Sequence, residues 1–386
     1  MRRAHAVCSI IPPHIYRHIA EHGADDDRRR ARLALEASAN TRGQREAVAG
    51  MRAFVDVRAA QAGRQRAVYD AKRKRALPGT LVRGEGDNAT GDKAADEAYD
   101  GSGRTYDFYN KVFHRNSIDG RGLRIDSSVH YSVDFSNAQW NGRQMLYGDG
   151  DGRLFNRFTA ALDVIGHELT HGVTQYSAAL EYHDQPGALN EHFSDVFGIL
   201  VKQHALKQTA KKSDWLIGVG IFSSSVRGDA VRSMKAPGTA YNDPTIGRDP
   251  QPAHMSNYVK THDDSGGVHI NSGIPNHAFY LLATALGGNA WDVAGKIWYV
   301  TLTQKLGHTA DFQRCANATF TVAGELHGKG SEPQQAVAAA WKAVGIEISA
   351  KVAAGEKRIP IRRARPILPA FEPATGGAEF PADAAR

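Results

Sequence analysis

The chain has 386 residues, a formal net charge of +7, and hydrophobic and charged contents of 41% and 23%. These values are ordinary for a globular protein and allow two domains. No apolar run is long enough to span a membrane, and the two cysteines, Cys8 and Cys315, are too few for a disulfide framework.

Residues 1–62 are predicted to be a pro-segment. Their start is basic but lacks the apolar core of a classical signal peptide, so the sequence by itself favours the cytosol. A Pro-Pro pair introduces a short helical stretch from Ile15, and acidic residues begin a second predicted helix from about Asp26 to Ser38. Residues 63–98 mix basic, glycine-containing and acidic runs, and we interpret them as a processing linker leading into the start of the mature chain.

Three basic clusters contribute to the positive charge, at Arg28–Arg30, Lys72–Arg75 and Arg362–Arg365. No aromatic residues are interleaved with them, as a single-strand binder would require. We therefore interpret the clusters as solvated linkers and trimming sites, and predict no nucleic-acid partner.

Short runs with strand propensity follow at Tyr106–Phe113, Ser128–Phe135 and Gln144–Tyr147, separated by turn signals. After Phe155 the pattern becomes helical. The predicted helices are Phe158–Tyr176, Leu189–Ala205, Gly273–Leu286, Trp291–Leu306, Asp311–His327 and Pro333–Val344. The order predicts an α+β fold with a β-rich lobe (99–165) and an α-helical lobe (166–347), followed by a disordered tail (348–386) rich in Ala, Pro and Arg.

The first predicted helix after the β-rich lobe carries the motif His167-Glu168-Leu169-Thr170-His171. Positions i and i+4 share one face of a helix, so the two imidazoles can bind one Zn²⁺ while Glu168 lies beside a metal-bound water. A third ligand from Glu191 would leave the fourth position open, as in a catalytic zinc site. The motif alone also fits an amphipathic helix with exposed histidines.

Two later segments favour the zinc site. Glu191 and Asp195 are again i and i+4 on a predicted helix, and two adjacent carboxylates repel unless a cation lies opposite them. Glu191 would bind the metal, and Asp195 would accept a ring N–H from a ligand histidine. His269 follows a glycine-rich loop, and we interpret it as a donor to developing negative charge that Asp264 orients.

At this point the chain resembles the thermolysin-like zinc metallopeptidases. The resemblance covers roughly residues 99–347 and places the zinc helix along a cleft between the two lobes. It rests on motifs in family order at Asn137–Gly142, Met145–Gly152, His167–Tyr176, Gly187–Gly198, Val231–Met234 and Gly266–Gly273. The stretch Cys8–Ile15 is similar to the short propeptide of the protealysin branch.

The resemblance implies a role for each matching residue. His167, His171 and Glu191 would bind zinc, Glu168 would be the general base, and Tyr182 would stabilise the oxyanion. The remaining implied residues are His269 (also at the oxyanion), Asp195 and Asn190 (orienting the ligand histidines), Asp264 (orienting His269), Asn137, Ala138 and Arg232 (holding the substrate backbone), and Phe155, Phe158, Val164, Ile217, Ile221 and Val231 (lining the pocket for the residue after the cut).

The implied function is a zinc endopeptidase that cuts proteins or peptides on the N-terminal side of large apolar residues. It would be a monomer, made as a self-processing precursor with its own propeptide as intramolecular inhibitor. Family habit favours secretion, here by a non-classical route, and a cytoplasmic location is the alternative.

Two departures from the family pattern lead to further expectations. Asp163 and Asp214 stand where the family often binds calcium, but Lys202, Leu216 and Val219 replace expected acidic residues. Since Ca²⁺ prefers several anionic oxygens, we predict no double calcium site. Other calcium binding stays possible.

One hypothesis is that the thiolate of Cys8 binds the zinc ion in the precursor and so keeps the enzyme inactive. We favour the simpler hypothesis, in which the rigid segment at Ile11–Pro13 fills the cleft and Cys8 is a small buried residue.

Two alternatives in other classes remain. A zinc-binding protein without catalysis would not need Glu168, Tyr182, His269 and Arg232 together. A gluzincin aminopeptidase usually has its third ligand one residue closer and carries a motif for the free amine, which this sequence lacks.

Overall fold

The computed structural model describes residues 9–48, 63–133 and 135–353. The N-terminal region after the pro-segment is built on one sheet with strands β1 (Arg66–Asp70), β2 (Thr80–Gly84), β3 (Ile125–Val129), β4 (Ala138–Trp140) and β5 (Met145–Tyr147). Their spatial order is β2-β1-β3-β5-β4. The inner pairs are parallel and the two outer pairs are antiparallel. Since β4 is last in the spatial order, it is an edge strand.

Helices dominate the rest of the described chain. They are α1 (Pro13–His22), α2 (Asp25–Val48), α3 (Lys93–Phe113), α4 (Leu162–Gln175), α5 (Asp184–Leu206), α6 (Asp264–Asn271), α7 (Gly273–Leu286), α8 (Ala294–Val300), α9 (Phe312–His327), α10 (Glu332–Ala343) and α11 (Ala350–Ala353). Two small antiparallel pairs join β6 (Leu216–Ile217) to β7 (Arg232–Ser233) and β8 (Asn242–Asp243) to β9 (Gly247–Arg248). Among the described residues, no helix combines the length and the apolar character that crossing a membrane requires.

The centre of the molecule is the contact between α4 and α5. Every residue of α4 from Asp163 to Thr174 is buried, so this helix has no solvent face. Glycines allow the two helices to approach closely, because a Cβ built on Gly166 would lie 3.1 Å from the Cα of Gly198. The close approach brings the His167–His171 motif against the Glu191–Asp195 face.

The predicted α+β class is confirmed, and the predicted helices match α4, α5, α7, α9 and α10 within about five residues. The helix predicted at Trp291–Leu306 begins as α8 and continues as a π-helical turn at Thr301–Lys305. The strand predicted at Tyr106–Phe113 is wrong, because these residues form the last turns of α3. Their aromatic side chains suggested a strand locally. The helix begins far upstream, where the Asp92 side chain caps it by accepting from the backbone N–H groups of Ala94 and Ala95 at 2.8 and 3.1 Å.

Two other stretches differ from the expectation in part. Residues 63–98 contain β1, β2 and the first turn of α3, so the stretch interpreted as a linker supplies two strands of the main sheet. The strand expected at Ser128–Phe135 starts earlier, at Ile125, and ends at Val129. In the second stretch the alternation of Val129, Tyr131 and Val133 favoured a longer strand, whereas β3 ends at Val129.

The glycine contact between α4 and α5 leads to a testable prediction. In Gly198→Ala the new Cβ would meet the Asp163 carbonyl oxygen at 2.5 Å, so the helices must separate. We expect a loss of about 1–3 kcal/mol in the free energy of unfolding, as in other overpacked cores. Gly307→Ala is the control, since a Cβ there meets no atom within 4 Å. Equal denaturation midpoints for the two variants would refute the close-packing requirement.

Candidate active site

Three ligating side chains converge between α4 and α5. The Nε2 atoms of His167 and His171 are 3.0 Å apart, and each lies 3.6 Å from an oxygen of Glu191. All three ligand atoms fall within 4.8 Å of one another, and no second group of three such residues converges elsewhere in the described ranges. The predicted ligands are therefore brought together.

Hydrogen bonds fix how the two imidazoles face the metal position. His167 Nδ1 donates to Asp195 Oδ1 at 2.8 Å, and His171 Nδ1 donates to Asn190 Oδ1 at 2.8 Å. The Asn190 amide nitrogen donates to the Leu180 carbonyl at 3.3 Å, which turns its oxygen toward His171. Both Nε2 lone pairs consequently face each other, an arrangement that requires a cation between them.

The spacing of these atoms suits zinc. With Zn–N distances of about 2.0–2.1 Å, two ligands of a tetrahedral site lie about 3.3 Å apart. The separations of 3.0 and 3.6 Å bracket that value. Two neutral imidazoles and one carboxylate are also the donor set that a catalytic zinc site uses.

Behind His167, the Asp195 carboxylate is bound by Arg232. The guanidinium donates from Nε to Oδ2 at 2.9 Å and from Nη2 to Oδ1 at 2.8 Å. Burial would raise the pKa of Asp195, but Arg232 and His167 hold it well below its usual range. Arg232, expected at a substrate carbonyl, is thus anchored on Asp195 through Nε and Nη2.

Glu168 is fully buried beside the ligand cluster. Its Oε2 accepts the Trp140 backbone N–H at 2.8 Å. Burial, reinforced by the charge of Glu191, raises the pKa of Glu168 well above its usual range, against the hydrogen bond from Trp140. A carboxyl group in this position beside the ligand cluster can serve as a general base.

Tyr182 and His269 both contact the ligand Glu191. The Tyr182 hydroxyl donates to Glu191 Oε1 at 2.6 Å and is 3.2 Å from His269 Nε2. His269 Nδ1 donates to Asp264 Oδ1 at 2.6 Å. Burial lowers the pKa of His269, but Asp264 and Glu191 outweigh it and raise the value to about 9. His269 is therefore a charged donor at neutral pH.

The turn before His269 makes this pairing possible. Asp264, Ser265, Gly266 and Gly267 all have φ between 53° and 86°, a left-handed run inside α6. A side chain at Gly266 would be strained by its φ of 86° and would have to displace the Asp184 carboxylate, which a Cβ would meet at 2.1 Å.

The cleft holds the start of the described chain. Ile10 N–H donates to the Ala138 carbonyl at 3.3 Å, and Ile11 N–H donates to Asn137 Oδ1 at 3.0 Å. Arg232 Nη1 donates to the Ile10 carbonyl at 3.1 Å. On the other side of Ile10, His269 Nε2 donates to the Ser9 carbonyl at 3.2 Å. The residues expected to hold a substrate backbone therefore hold the pro-segment.

The residues predicted to line the apolar pocket are buried, as are the two isoleucines of this segment. Ile10 and Ile11 are 0% and 1% exposed and belong to the same continuous apolar cluster as the pocket residues. Those residues are all buried: Phe155, Phe158, Val164, Ile217, Ile221 and Val231.

Some contacts of the site were not foreseen. Ser194 Oγ lies 2.9 Å from His171 Nδ1, and the Asn276 amide donates to Asp195 Oδ2 at 2.9 Å. Asn276 stands three positions after the motif that ends at Gly273, on the first turn of α7. Only the predicted start of that helix could have indicated that its first turn faces the site.

A metal position held by two histidines of one helix and a glutamate of the next, with a buried carboxyl group against it, defines a metallopeptidase. Comparison with protein families agrees. The thermolysin metallopeptidase catalytic domain matches residues 52–175, its alpha-helical domain matches residues 178–346, and the protealysin propeptide matches residues 8–36. The chain belongs to the thermolysin metallopeptidase family.

Individual relatives agree with this assignment. An extracellular metalloprotease of Pectobacterium carotovorum subsp. carotovorum is 47% identical over 355 residues, which cover 90% of this chain and 98% of the relative. A thermolysin of Alicyclobacillus acidocaldarius subsp. acidocaldarius is 41% identical over 288 residues, 72% of this chain and half of that protein. Among solved structures, the precursor of protealysin, a metalloproteinase from Serratia proteamaculans, superposes with a TM-score of 0.80 at 50% identity, covering 88% of this chain and 99% of that chain.

These findings confirm the predicted family, the short propeptide and the two-lobe fold. The chain is a zinc-dependent metalloendopeptidase with a propeptide at its N-terminus.

Proposed function

We propose that this precursor matures into an endopeptidase that cuts before large apolar residues, and that Ser9–Ile11 blocks its cleft beforehand. One observation carries the proposal. The segment runs through the cleft with the Ser9 carbonyl at His269, the Ile10 carbonyl at Arg232 and the Ile11 N–H at Asn137. That is the order in which the site would hold a substrate cut before Ile10.

We assign the chemistry as follows. His167, His171 and Glu191 would hold one zinc ion, which would supply a Lewis acid and lower the pKa of a bound water to about 7. Glu168 would act as the general base toward the attacking water and would pass the proton to the leaving amine. Tyr182 donates a hydrogen bond to the carbonyl oxygen as negative charge develops there.

The surrounding residues position these groups. His269, kept protonated by Asp264, is the second donor to the developing oxyanion. Asp195 and Asn190 orient the ligand histidines through Nδ1. Asn137, the Ala138 carbonyl and Arg232 hold the substrate backbone, and the buried apolar pocket favours a large apolar side chain after the cut.

Hydrolysis of an unstructured protein by the full chain tests the proposal, with cut positions read by mass spectrometry before and after zinc chelation. We expect internal cuts before Leu, Phe or Ile that stop with the chelator and return with Zn²⁺. Stepwise loss of N-terminal residues would instead indicate an aminopeptidase. Absence of cutting by both the precursor and its processed form would indicate a silent zinc protein.

The role of Glu168 gives a sharper prediction. Glu168→Ala removes the proton acceptor but none of the three ligands, so we expect hydrolysis to fall by at least ~10²-fold while bound zinc, measured by atomic emission, stays at one per chain. Glu325→Ala, an exposed carboxylate paired with Lys305, is the control. Near-normal hydrolysis by Glu168→Ala would disprove the mechanism.

We also propose that the double calcium site is absent. Lys202 Nζ is 3.0 Å from both oxygens of Asp214, 3.0 Å from the Leu216 carbonyl and 3.5 Å from Asp163 Oδ2. Its ammonium group thus fills the centre of the oxygen cluster, where it would repel Ca²⁺.

The calcium proposal predicts that added calcium leaves the melting temperature of the zinc-loaded protein unchanged. Lys202→Met should lose about 3 kcal/mol in unfolding free energy, because Asp163 stays buried without its cation, and should then gain stability with calcium. Lys329→Met on an exposed turn controls for the lost charge. A strong rise in melting temperature when calcium is added to the wild type would contradict the proposal.

The site of action is proposed to be outside the cell, as for the extracellular relative, with the chain acting as a monomer. The hypothesis that Cys8 binds zinc concerns a residue outside the described ranges, and it stays a prediction.

Release of the pro-segment is expected to depend on pH through His14 of α1. His14 Nε2 is 2.8 Å from the Tyr241 hydroxyl, and its Nδ1 is buried without a hydrogen-bond partner. Burial lowers the pKa of His14 to about 4, and the charges of His269, Arg17 and Arg232 act in the same direction against Asp264. The neutral ring is therefore required in the cleft-bound state.

The sign of the effect follows from linkage. The folded pKa lies below the unfolded value of 6.5, so the stabilisation is complete above pH 6.5 and is lost as the pH falls toward 4. At pH 5 the loss is about 2 kcal/mol, or roughly 30-fold. Hydrogen exchange of α1 amides in the Glu168→Ala precursor measures it.

In that assay, exchange corrected for its intrinsic rate should rise at pH 5, and His14→Gln should suppress the rise. His22→Ala, which removes an exposed ring of the same helix, should leave it intact. Equal exchange in His14→Gln and the parent protein at pH 5 would show that another group controls release.

A further inference from the structure

We propose that Asn276, His192 and Trp298 form a hydrogen-bonded array that positions the Asp195 carboxylate behind the metal ligand His167. All three are positioning residues, because none of them reaches the ligand cluster itself. The inference rests on the zinc centre proposed above and adds residues to it that the motifs did not indicate.

The array is continuous from the core to the metal position. Trp298 Nε1 donates to His192 Nε2 at 2.7 Å, and His192 Nδ1 donates to Asn276 Oδ1 at 2.8 Å. Asn276 Nδ2 donates to Asp195 Oδ2 at 2.9 Å, and Asp195 Oδ1 accepts from His167 at 2.8 Å. All five side chains are 0% exposed, so water does not compete for these bonds.

One residue determines the direction of every bond in this array. An indole N–H can only donate, so the Nε2 atom of His192 must accept. A neutral His192 then carries its proton on Nδ1, which requires the Asn276 oxygen to face it. The amide nitrogen of Asn276 is thereby turned toward Asp195. Trp298 thus fixes the orientation of the Asn276 amide, although His192 lies between them.

The array completes the set of donors around Asp195. Arg232 binds one edge of the carboxylate through two nitrogens and His167 binds Oδ1. Asn276 supplies the second donor to Oδ2. With four donors the carboxylate plane cannot rotate, and the His167 ring that it orients keeps its Nε2 on the metal position.

The base of the array is itself held rigidly. The Trp298 ring packs edge-on against Phe279 with centroids 5.2 Å apart and stacks on Trp341 at 6.1 Å with an interplanar angle of 5°. His192, Asn276 and Trp298 come from α5, α7 and α8, so three helices jointly support one metal ligand. Such support by packed elements is what a precise site requires.

Zinc release from the full-length protein tests the proposal. The rate at which zinc passes to an excess of a chromogenic chelator is compared with the melting temperature of each variant. We expect Asn276→Leu, which keeps the size but can neither accept from His192 nor donate to Asp195, and Trp298→Phe to release zinc about 10- to 100-fold faster than the wild type.

Two matched controls separate positioning from packing. Trp215 is also buried and donates its indole N–H, to the Ala210 carbonyl at 2.8 Å, so Trp215→Phe should release zinc at the wild-type rate even if its stability falls. His192→Gln can both accept from Trp298 and donate to Asn276, and should stay close to the wild type, whereas His192→Leu should not.

Wild-type release rates in Asn276→Leu, Trp298→Phe and His192→Leu would overturn the proposal, as would equal acceleration by Trp215→Phe. A wild-type protein that binds no zinc would instead refute the proposed function itself.

Discussion

The rest of the site depends on the hydrogen bonds that the buried carboxylate of Asp195 accepts. It cannot leave water without donors on every side, and it has them: the ring of His167, two nitrogens of Arg232 and the amide of Asn276. Those partners come from α4, β7 and α7, while Asp195 itself lies on α5. Four elements must converge to supply these hydrogen bonds, so this one buried charge fixes their relative placement. The metal position lies next to them, at the ring of His167.

The pro-segment uses the same machinery. Arg232 reaches from Asp195 to the Ile10 carbonyl, and Asn137 and His269 bind the flanking backbone groups. Inhibition therefore needs no distortion of the ligand cluster in the structure, since occupancy of the cleft is sufficient. As a consequence, the active groups are already assembled in the precursor. Its inactivity then depends on how firmly α1 stays bound through contacts such as that of His14 with Tyr241.

The sequence was most informative for site residues that lie close to one another along the chain. The helical spacing of His167 and His171, the i and i+4 pair Glu191 and Asp195, and the glycine turn before His269 all predicted side chains that the fold brings together. Contacts between distant positions carried no local signal. The bond from Asn137 to Ile11 spans 126 positions, and α3 was mistaken for a strand because its cap lies far from its aromatic end.

The edge position of β4 limits what the cleft can accept. Ile10 lies along this strand and donates to the carbonyl of Ala138, as an added strand would. Only a backbone that is already extended, with its own N–H and C=O groups unengaged, can take that place. We therefore expect target choice to depend first on conformation and second on side chain, with well-folded proteins spared and mobile loops and partly unfolded chains cut.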